Sequence, residues 1–475
     1  MKRKNAAIAL LIVAAAVTCG CLPEKRVVWS PDGRWAAIRG SDGLYLCDPS
    51  GKLSERKPMV EGVTSLAWLP DSKGLILSYV DAHADTWDAL AARLSAEQRR
   101  KVESVGPQLR NEILAHEGDW KNFEPKTLGD FTPGETGAAL LYVRDKLNEG
   151  LPEKLGEEWK KAQELRVDEH VLARARGSET GKLELDGALA RALDPFDELC
   201  VSPDGRTVAY RRPAPGDEQT RPLLVVAIEK PATPTLVAEH TAMFYDWSAD
   251  GRYLVYAACH TALPEKSKEL RLGVVARRQV CGDDGAVLGT LPEPEELAGI
   301  LFQEEVRVRC LRDGRVLFAT AELEVPCTSA DMPQRAGLFS VDPGRQPGVT
   351  RVIPRPTVYM LPDAAFLFAV SPDERHVCIP GSNGRIVVLT LATGSFWEVA
   401  GEDKGNQLRM QPTWRSSDEL CFAVTPDLEK PAQVVLAKLN WNAQTAERRV
   451  LSADWPEAVG KDFLAAQEAA PTSQP

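Results

Sequence analysis

Short apolar runs alternate with one recurring polar motif along most of the chain. The run "RVVWS" at 26–30 leads into "PDG", and a second run, "RWAAIR", follows at 34–39. Pro-Asp-Gly supplies the backbone conformations that a tight turn between two strands needs. The pattern therefore predicts a β-hairpin around each copy of the motif. Seven copies occur, at 29–35, 68–74, 201–206, 247–252, 311–315, 370–375 and 414–419.

The aspartates of these copies mark a repeat. They are Asp32, Asp71, Asp204, Asp250, Asp313, Asp373 and Asp418. A third apolar run and a weaker fourth run follow each hairpin, and neighbouring aspartates lie 39 to 63 residues apart except for one interval of 133. Periods of this length indicate propeller blades. The sequence thus predicts an all-β fold, a seven-bladed β-propeller of four-stranded antiparallel blades over residues 27–452.

The motif also carries a family resemblance. An apolar strand, then Trp-Ser-Pro-Asp-Gly-Arg, then a second apolar strand resembles the TolB-like propeller repeat family, whereas the seven copies lack the Gly-His and Trp-Asp signatures of WD-type repeats. The fifth and seventh copies lack Ser-Pro, and Glu374 replaces the usual glycine of the sixth. The seven aspartates are expected to be structural, making the turn and accepting hydrogen bonds from nearby amides. The motif tryptophans are expected to pack between blades: Trp29, Trp68, Trp247 and Trp414.

The long interval predicts an α-helical insertion at 82–166, between strands two and three of blade 2. Helical spacing of apolar residues runs through 85–117, with Ser95 and Gln98 as a capping box and with a break at Gly106-Pro107. Further helices are expected at 138–148 and 153–165. Because antiparallel strands alternate in direction, loops between strands two and three share one face with the links between blades. This insert-bearing face also carries the other long loops, so it is the predicted functional face.

The N-terminus predicts export. Residues 1–20 combine a basic start with an apolar run that is too short for a typical membrane-spanning helix. Gly20 before Cys21 resembles the lipobox of bacterial lipoproteins, which implies a lipid-modified Cys21, a linker at 21–26 and a position in the cell envelope facing the periplasm. The alternative is an ordinary secretory signal and an incidental cysteine. A partly disordered tail is expected at 453–475.

Charge and motif content exclude several functions. The net charge of −11 disfavours nucleic acid as a partner. The sequence contains no nucleophile elbow, zinc-protease motif or phosphate-binding loop, so we expect no catalytic residues, no cofactor and no metal site. Three segments could hold a metal ion, but each is more simply a strand end, a helix end or a hairpin turn. They are 81–85, 116–119 and 282–285.

These features lead to a functional hypothesis and an alternative. The hypothesis is a non-catalytic lipoprotein, not an enzyme, which binds an envelope protein or a glycan through the insert-bearing face. A third option is a subunit whose acidic surface docks a cationic partner. The alternative is a propeller enzyme, a hydrolase or lyase with its site in the central channel. First strands would line that channel and offer Asp246, Glu304, Arg309 and Arg415.

Overall fold

The computed structural model describes most of the chain between residues 26 and 459. The described ranges are 26–118, 120, 123–215, 220–229, 233–259, 272–322, 335–344, 349–352, 367–381, 384–400, 409–425, 432–456 and 459. Cys21 and the predicted signal at 1–20 lie outside them, as does the tail beyond 459. Within the described part, no helix is both long enough and apolar enough to cross a membrane.

The described strands form an antiparallel β-propeller. The first sheet contains β1 (Val27–Trp29), β2 (Ala36–Arg39), β3 (Gly43–Cys47) and β4 (Val60–Glu61). The second contains β5 (Val63–Trp68), β6 (Gly74–Ala84), β7 (Val167–Arg176) and β8 (Glu184–Ala192). A seven-stranded sheet follows, with β9 (Asp197–Val201), β10 (Thr207–Arg211), β11 (Arg221–Ala227), β12 (Thr235–Trp247), β13 (Tyr253–Ala258), β14 (Leu272–Gln279) and β15 (Glu295–Leu301).

Three further four-stranded sheets complete the order. The first of these contains β16 (Arg307–Cys310), β17 (Val316–Glu322), β18 (Arg335–Val341) and β19 (Thr350–Arg351). The next contains β20 (Ala369–Val370), β21 (His376–Pro380), β22 (Ile386–Thr390) and β23 (Phe396–Ala400). The last contains β24 (Thr413–Ser416), β25 (Glu419–Val424), β26 (Gln433–Asn440) and β27 (Thr445–Val450). Strands are paired in chain order throughout, which is the meander expected of propeller blades.

The prediction of four-stranded antiparallel blades is confirmed, but the prediction of seven separate blades is not. The described residues contain five separate four-stranded sheets and one seven-stranded sheet. The merger has a local cause in the 13-residue strand β12, which pairs with β11 through its first half and with β13 through its second half. Its sequence "TLVAEHTAMFYDW" contains neither glycine nor proline, so nothing ends the strand between the two halves.

Apolar clusters between sheets close the ring. Leu44 and Leu77 belong to one cluster that joins the first two sheets. Another joins Tyr45 of the first sheet to Leu436 of the last. The inner strands of neighbouring units also contact one another: β24 contacts β1, and β12 of the seven-stranded sheet contacts β16 of the next sheet. These inner strands therefore surround the axis of the propeller, and the space between them is called the central channel.

Side chains near both ends of the chain strengthen this closure. Thr413 Oγ1 donates a hydrogen bond to the carbonyl of Val27, at 2.9 Å. Beyond the last sheet, Trp455 Nε1 donates to the carbonyl of Gly51 at 2.8 Å, and Val459 is fully buried in the cluster that joins the first and last sheets. The chain after β27 therefore packs on the first sheet as far as it is described.

Helices fill the interval between β6 and β7. They are α1 (Trp87–Ala91), α2 (Ala96–Ala115), α3 (Pro133–Lys146), α4 (Leu151–Leu155) and α5 (Glu157–Gln163). The capping box predicted for Ser95 and Gln98 is confirmed at the start of α2. The predicted break at Gly106-Pro107 is wrong, because α2 continues through both residues. Gly106 lies against the ring of Tyr142 on α3, and this close helix contact holds the two halves of α2 on one core.

Ionic contacts fix the helices to the second sheet. Glu169 and Asp81 both accept from Arg191, at 3.2 and 2.9 Å, and Arg93 of the chain after α1 lies 3.9 Å from Glu169. At the start of α3, buried Asp194 accepts from the backbone N–H of Gly134 at 2.8 Å. Burial raises the pKa of Asp194, although hydrogen bonds from the Thr132 hydroxyl and from the Gly134 N–H oppose the rise.

Candidate functional site

The seven predicted aspartates each hold their own hairpin turn. Ser30 Oγ donates to Asp32 Oδ1 at 2.7 Å, and the backbone N–H of Arg34 donates to the same oxygen at 3.1 Å. Asp204, Asp250 and Asp373 accept the same two kinds of donor. The amide two residues on donates to Asp71 and Asp313, and a serine hydroxyl donates to Asp418.

These bonds change how the turn carboxyls titrate. Partial burial alone would raise the pKa of Asp32, but hydrogen bonds from Ser30 and Arg34 outweigh it and hold that pKa below its usual value. Asp250 and Asp373 follow the same rule. The seven carboxyl groups thus accept hydrogen bonds in seven separate turns and do not form one shared site.

Two turns place other residues where glycine is usual. The glycines of four copies have φ between 68° and 88° (Gly33, Gly205, Gly251 and Gly314). Ser72 and Glu374 take the same left-handed conformation, with φ of 61° and 59°. Both side chains accept a backbone N–H from the preceding sheet: Asp32 donates to Ser72 Oγ at 3.1 Å, and Arg312 donates to Glu374 Oε2 at 2.8 Å. Contacts between sheets therefore offset the backbone strain.

The motif tryptophans contact neighbouring inner strands, as predicted. Trp68 Nε1 donates to the carbonyl of Val28 on β1 at 2.8 Å. Trp247 and Trp414 donate in the same way to the carbonyls of Cys200 and Ala369. The repeat motif as a whole thus serves the fold, and candidate chemistry must be sought in the channel.

The inner strands β12 and β16 bring Asp246 and Arg309 together. Arg309 Nη1 donates to Asp246 at 3.0 Å, and the N–H of Cys310 donates to the other carboxylate oxygen at 2.8 Å. Asp246 is buried, with 8% of its side chain exposed, whereas 49% of the Arg309 side chain is exposed. The Asp246 carboxylate raises the pKa of Arg309. The channel therefore contains a guanidinium that is fixed at one nitrogen and open to solvent.

Arg307 lies two residues earlier on β16 and is anchored. Its Nη1 donates to the carbonyl of Phe368 at 2.9 Å, and its Nη2 donates to Gln411 Oε1 at 2.6 Å. The guanidinium carbon lies 3.9 Å from the centre of the Phe244 ring, which favours a cation–π contact. Burial lowers the pKa of Arg307 to about 10. This arginine ties β16 to the segments before β20 and β24.

A strained residue lies on the inner strand β9. Glu198 has φ of 50°, next to a register irregularity between β9 and β10. Its carbonyl accepts a hydrogen bond from the buried Tyr245 hydroxyl. Burial raises the pKa of Tyr245 well above its usual value, so the hydroxyl keeps its proton and remains a donor. A non-glycine residue in this conformation costs roughly 1 to 3 kcal/mol, and such residues cluster at functional sites.

Two other candidate channel residues lie apart from the Arg309–Asp246 pair. Arg415 Nε donates to the carbonyl of Gly33 at 2.8 Å, and its guanidinium also pairs with Glu419, so it belongs to the closure of the ring. The charge of Glu304 acts on Arg211, whose pKa burial lowers. The sequence pattern therefore identified four candidates but did not show that Asp246 and Arg309 pair with each other apart from Glu304 and Arg415.

Several residues on or beside the inner strands were missed in the sequence. Arg307, Glu198 and Tyr245 are among them, together with Arg211 in the apolar run "TVAYRR". An arginine inside an apolar strand is unusual enough to suggest a buried polar contact, which is the signal that could have found Arg211 and Arg307. No residue pattern marks the backbone strain at Glu198.

The segments considered for metal binding have other partners. His83 Nδ1 lies 2.7 Å from an oxygen of Asp168, and Asp81 pairs with Arg191. The ring of His116 packs against Trp120 at 4.6 Å between centroids. The segment 282–285 is a turn in which Asp284 accepts from the N–H of Ala286. In the ranges that the structure describes, no three His, Cys, Asp or Glu residues converge as a metal site would require.

Known proteins resemble this chain in structure rather than in sequence. No family model matches the sequence, and no curated protein matches it. An oligogalacturonate lyase solved with manganese is 10% identical, with a TM-score of 0.47 over 88% of this chain and 89% of the other. A TolB-like protein of Agrobacterium tumefaciens is 14% identical, with a TM-score of 0.36 over 57% of this chain and 85% of the other.

A puromycin hydrolase is 12% identical, with a TM-score of 0.48 over 95% of this chain and 56% of its own length. The similar structures thus include a lyase and a hydrolase, and this finding speaks against the hypothesis of a non-catalytic scaffold and against the expectation that the chain is not an enzyme. At these identities and TM-scores, neither substrate nor mechanism is carried over to this chain.

Proposed function

We propose that this chain is an enzyme, a hydrolase or lyase, whose site lies in the central channel around Arg309. One observation carries the proposal. A guanidinium held by a buried carboxylate is half exposed on an inner strand of the channel. Arg309 uses Nη1 for its hydrogen bond and ion pair with Asp246, and the Glu374 carboxylate also acts electrostatically on its guanidinium.

The geometry suits a substrate that carries or develops negative charge. A guanidinium presents paired N–H groups that match a carboxylate, and its Nε and Nη2 edge is the one that Asp246 leaves available. In a hydrolase, this edge would stabilise the oxyanion of a tetrahedral intermediate. In a lyase, it would stabilise the enolate that forms when a proton leaves the carbon next to a carboxylate.

Asp246 has a positioning role in this proposal. It holds the guanidinium by one nitrogen and supplies a fixed counter-charge from a buried position. The N–H of Cys310 in turn fixes the Asp246 carboxylate. Replacing Asp246 with Asn keeps the shape but removes the counter-charge, so Arg309 should lose orientation and substrate turnover should fall.

A substrate panel tests the proposal. The purified chain is incubated with uronic-acid oligosaccharides and with carboxylate-bearing esters and amides, and each substrate is paired with its neutral carboxamide analogue. A lyase produces the ultraviolet absorbance of a new conjugated double bond, and a hydrolase releases an acid. The proposal expects turnover of an acidic substrate in preference to its neutral analogue. Equal turnover of both, or no turnover of any, would contradict it.

Export and blade count are proposals too. The chain would be delivered to the bacterial envelope and anchored through a lipid on Cys21, which the basic and apolar run at 1–20 supports. The seven-stranded sheet would count as two blades that share β12, giving seven repeat units around the axis. The two-sided pairing of β12 supports this count, and a crystal structure would test it directly.

A further inference from the structure

Glu198 is a half-buried carboxylate on the inner strand β9, which contacts β5 on one side and β12 on the other. Its backbone has φ of 50°, in the left-handed region. Glycine would adopt this conformation freely, whereas a side chain makes it unfavourable. Residues held in such conformations cluster at functional sites. The position therefore suggests a role for the Glu198 side chain beyond forming the strand.

Neighbouring inner strands hold the strained backbone in place. The hydroxyl of Tyr245 on β12 donates to the carbonyl of Glu198. The N–H of the next residue, Leu199, donates to Ser65 Oγ on β5 at 3.4 Å. These two contacts fix the main chain on both sides of the strained residue, and neither of them uses its carboxylate.

The strand register places Glu198 near the Asp246–Arg309 pair. Cys200 follows Glu198 by two residues, and its Sγ lies 3.9 Å from Asp246 Oδ1. Asp246 in turn accepts from Arg309 Nη1 at 3.0 Å. Residues two apart on a strand are separated by about 7 Å and lie on the same face. Glu198 therefore lies about one such step along the channel from the level of the Asp246–Arg309 pair.

Arg307 shows that the two charged groups face the same region. Arg307 and Arg309 are two residues apart on β16, so their side chains leave the strand on one face. Burial lowers the pKa of Arg307 to about 10, the Glu198 carboxylate opposes this shift, and the Arg309 guanidinium adds to it. Glu198 and Arg309 thus both act on the guanidinium of Arg307, from β9 and from β16.

We propose that Glu198 is the general base of the channel site, a role that rests on the proposed enzymatic function around Arg309. A general base must come within hydrogen-bond reach of the proton that it removes. A substrate carboxylate bound to Arg309 would carry its neighbouring carbon into the space between the two groups. The anion-binding group and the base would then act on adjacent atoms of one substrate.

The proton transfer has a balanced form in either reaction. In a lyase, Glu198 takes the proton from the carbon beside the substrate carboxylate, and the C–H electron pair forms the enolate. The enolate then forms the carbon–carbon double bond and expels the leaving oxygen with its electron pair. In a hydrolase, Glu198 takes a proton from water as the water oxygen bonds to the carbonyl carbon, and the leaving group departs with its bonding electrons. In both reactions, the proton then passes from Glu198 to the leaving group.

Glu198→Gln tests this role, because glutamine keeps the size of the side chain and cannot accept the proton. It is assayed on an acidic substrate that the wild-type chain turns over. The variant should lower kcat by about 100-fold or more. It should change KM by less than about threefold, since Arg309 still binds the substrate carboxylate. The wild-type kcat/KM should fall as the pH falls and Glu198 takes up a proton, and this fall should be absent from Glu198→Gln.

Glycine variants provide chemical rescue and a matched control. Glu198→Gly removes the carboxylate and leaves space, so added formate should restore part of the lost kcat. Gln444→Gly is the control, because Gln444 has φ of 53° at an exposed turn between β26 and β27. It removes a similar backbone strain away from the channel, so it should keep the wild-type kcat with and without formate. Circular dichroism and urea unfolding check that each variant is folded.

The outcomes separate this assignment from the channel enzyme itself. Wild-type turnover in Glu198→Gln would overturn the assignment and leave the site around Arg309 intact. A loss of activity that is equal at every pH, and that formate does not restore in Glu198→Gly, would also overturn it, because that result indicates a purely structural role. Absence of turnover of every acidic substrate by the wild-type chain would refute the channel enzyme and the assignment together.

Discussion

Glu374 offers a sharp test of the link between backbone strain and blade contacts. It has φ of 59° at a turn where other copies have glycine, and its side chain accepts the N–H of Arg312 at 2.8 Å. Two substitutions separate these effects. Glu374→Gly removes both the strain and the hydrogen bond, whereas Glu374→Ala removes the hydrogen bond and keeps the strain.

The expected magnitudes follow from the structure. A non-glycine residue in the left-handed region costs roughly 1 kcal/mol. A hydrogen bond to a charged group contributes about 1.5 to 3 kcal/mol when buried, and we take about 1 kcal/mol here because 18% of the Glu374 side chain is exposed. Glu374→Ala should therefore lower the free energy of unfolding by about 1 kcal/mol, and Glu374→Gly should leave it within about 0.5 kcal/mol of wild type.

Urea unfolding followed by tryptophan fluorescence measures both changes. Ser72 gives an independent repeat of the experiment, because its φ is 61° and its Oγ accepts the N–H of Asp32. Ser72→Gly should again be more stable than Ser72→Ala. If the glycine variants are no more stable than the alanine variants at both positions, the backbone strain has been misjudged.

Other features of the structure give further predictions. Gly106→Ala would place a Cβ 2.4 Å from the Tyr142 ring, so thermal unfolding should show a loss of about 1 to 3 kcal/mol, and an unchanged midpoint would contradict the close packing. Asp250 has a pKa below its usual 3.8 because hydrogen bonds, led by that of Ser248, outweigh burial. The ionised Asp250 carboxylate therefore stabilises the fold above the pKa that it has in the unfolded chain, and this stabilisation is lost as the pH falls through its pKa in the folded chain. The free energy of unfolding should fall less steeply with decreasing pH in Asp250→Asn than in the wild type, and parallel curves would refute this. In a bacterial host fed labelled palmitate, the wild-type chain should take up label and Cys21→Ser should not. Absence of label from the wild-type chain would refute the proposed lipid anchor.

The local sequence pattern was sufficient to predict the four-stranded blades, because each hairpin is built from residues that are adjacent in the chain. Turn residues and alternating apolar positions act within a few residues, so the four-stranded units could be predicted. The continuity of β12 depends on whether anything interrupts 235–247, and the repeat alone does not reveal that. Pro107 inside α2 is a similar case, since the packing of Gly106 on Tyr142 overrides a local helix-breaking signal.

The channel pair was harder to predict, because its members are far apart in the chain. Asp246 and Arg309 are 63 positions apart and meet only when β12 lies beside β16. The sequence contains none of the catalytic motifs named above, and the scaffold hypothesis drawn from their absence was wrong. Motifs report chemistry on short segments, whereas a propeller channel collects single residues from many strands.

The central claim is tested most directly by replacing Arg309 itself. On whichever acidic substrate the wild-type chain turns over, kcat/KM is compared for Arg309→Met and Arg315→Met. Arg315 is the matched control, since it is 44% exposed and pairs with Asp313 at a hairpin turn. We expect Arg309→Met to lower kcat/KM by about 100-fold or more and Arg315→Met to leave it unchanged. Equal activity of the two variants would contradict a channel site built on Arg309.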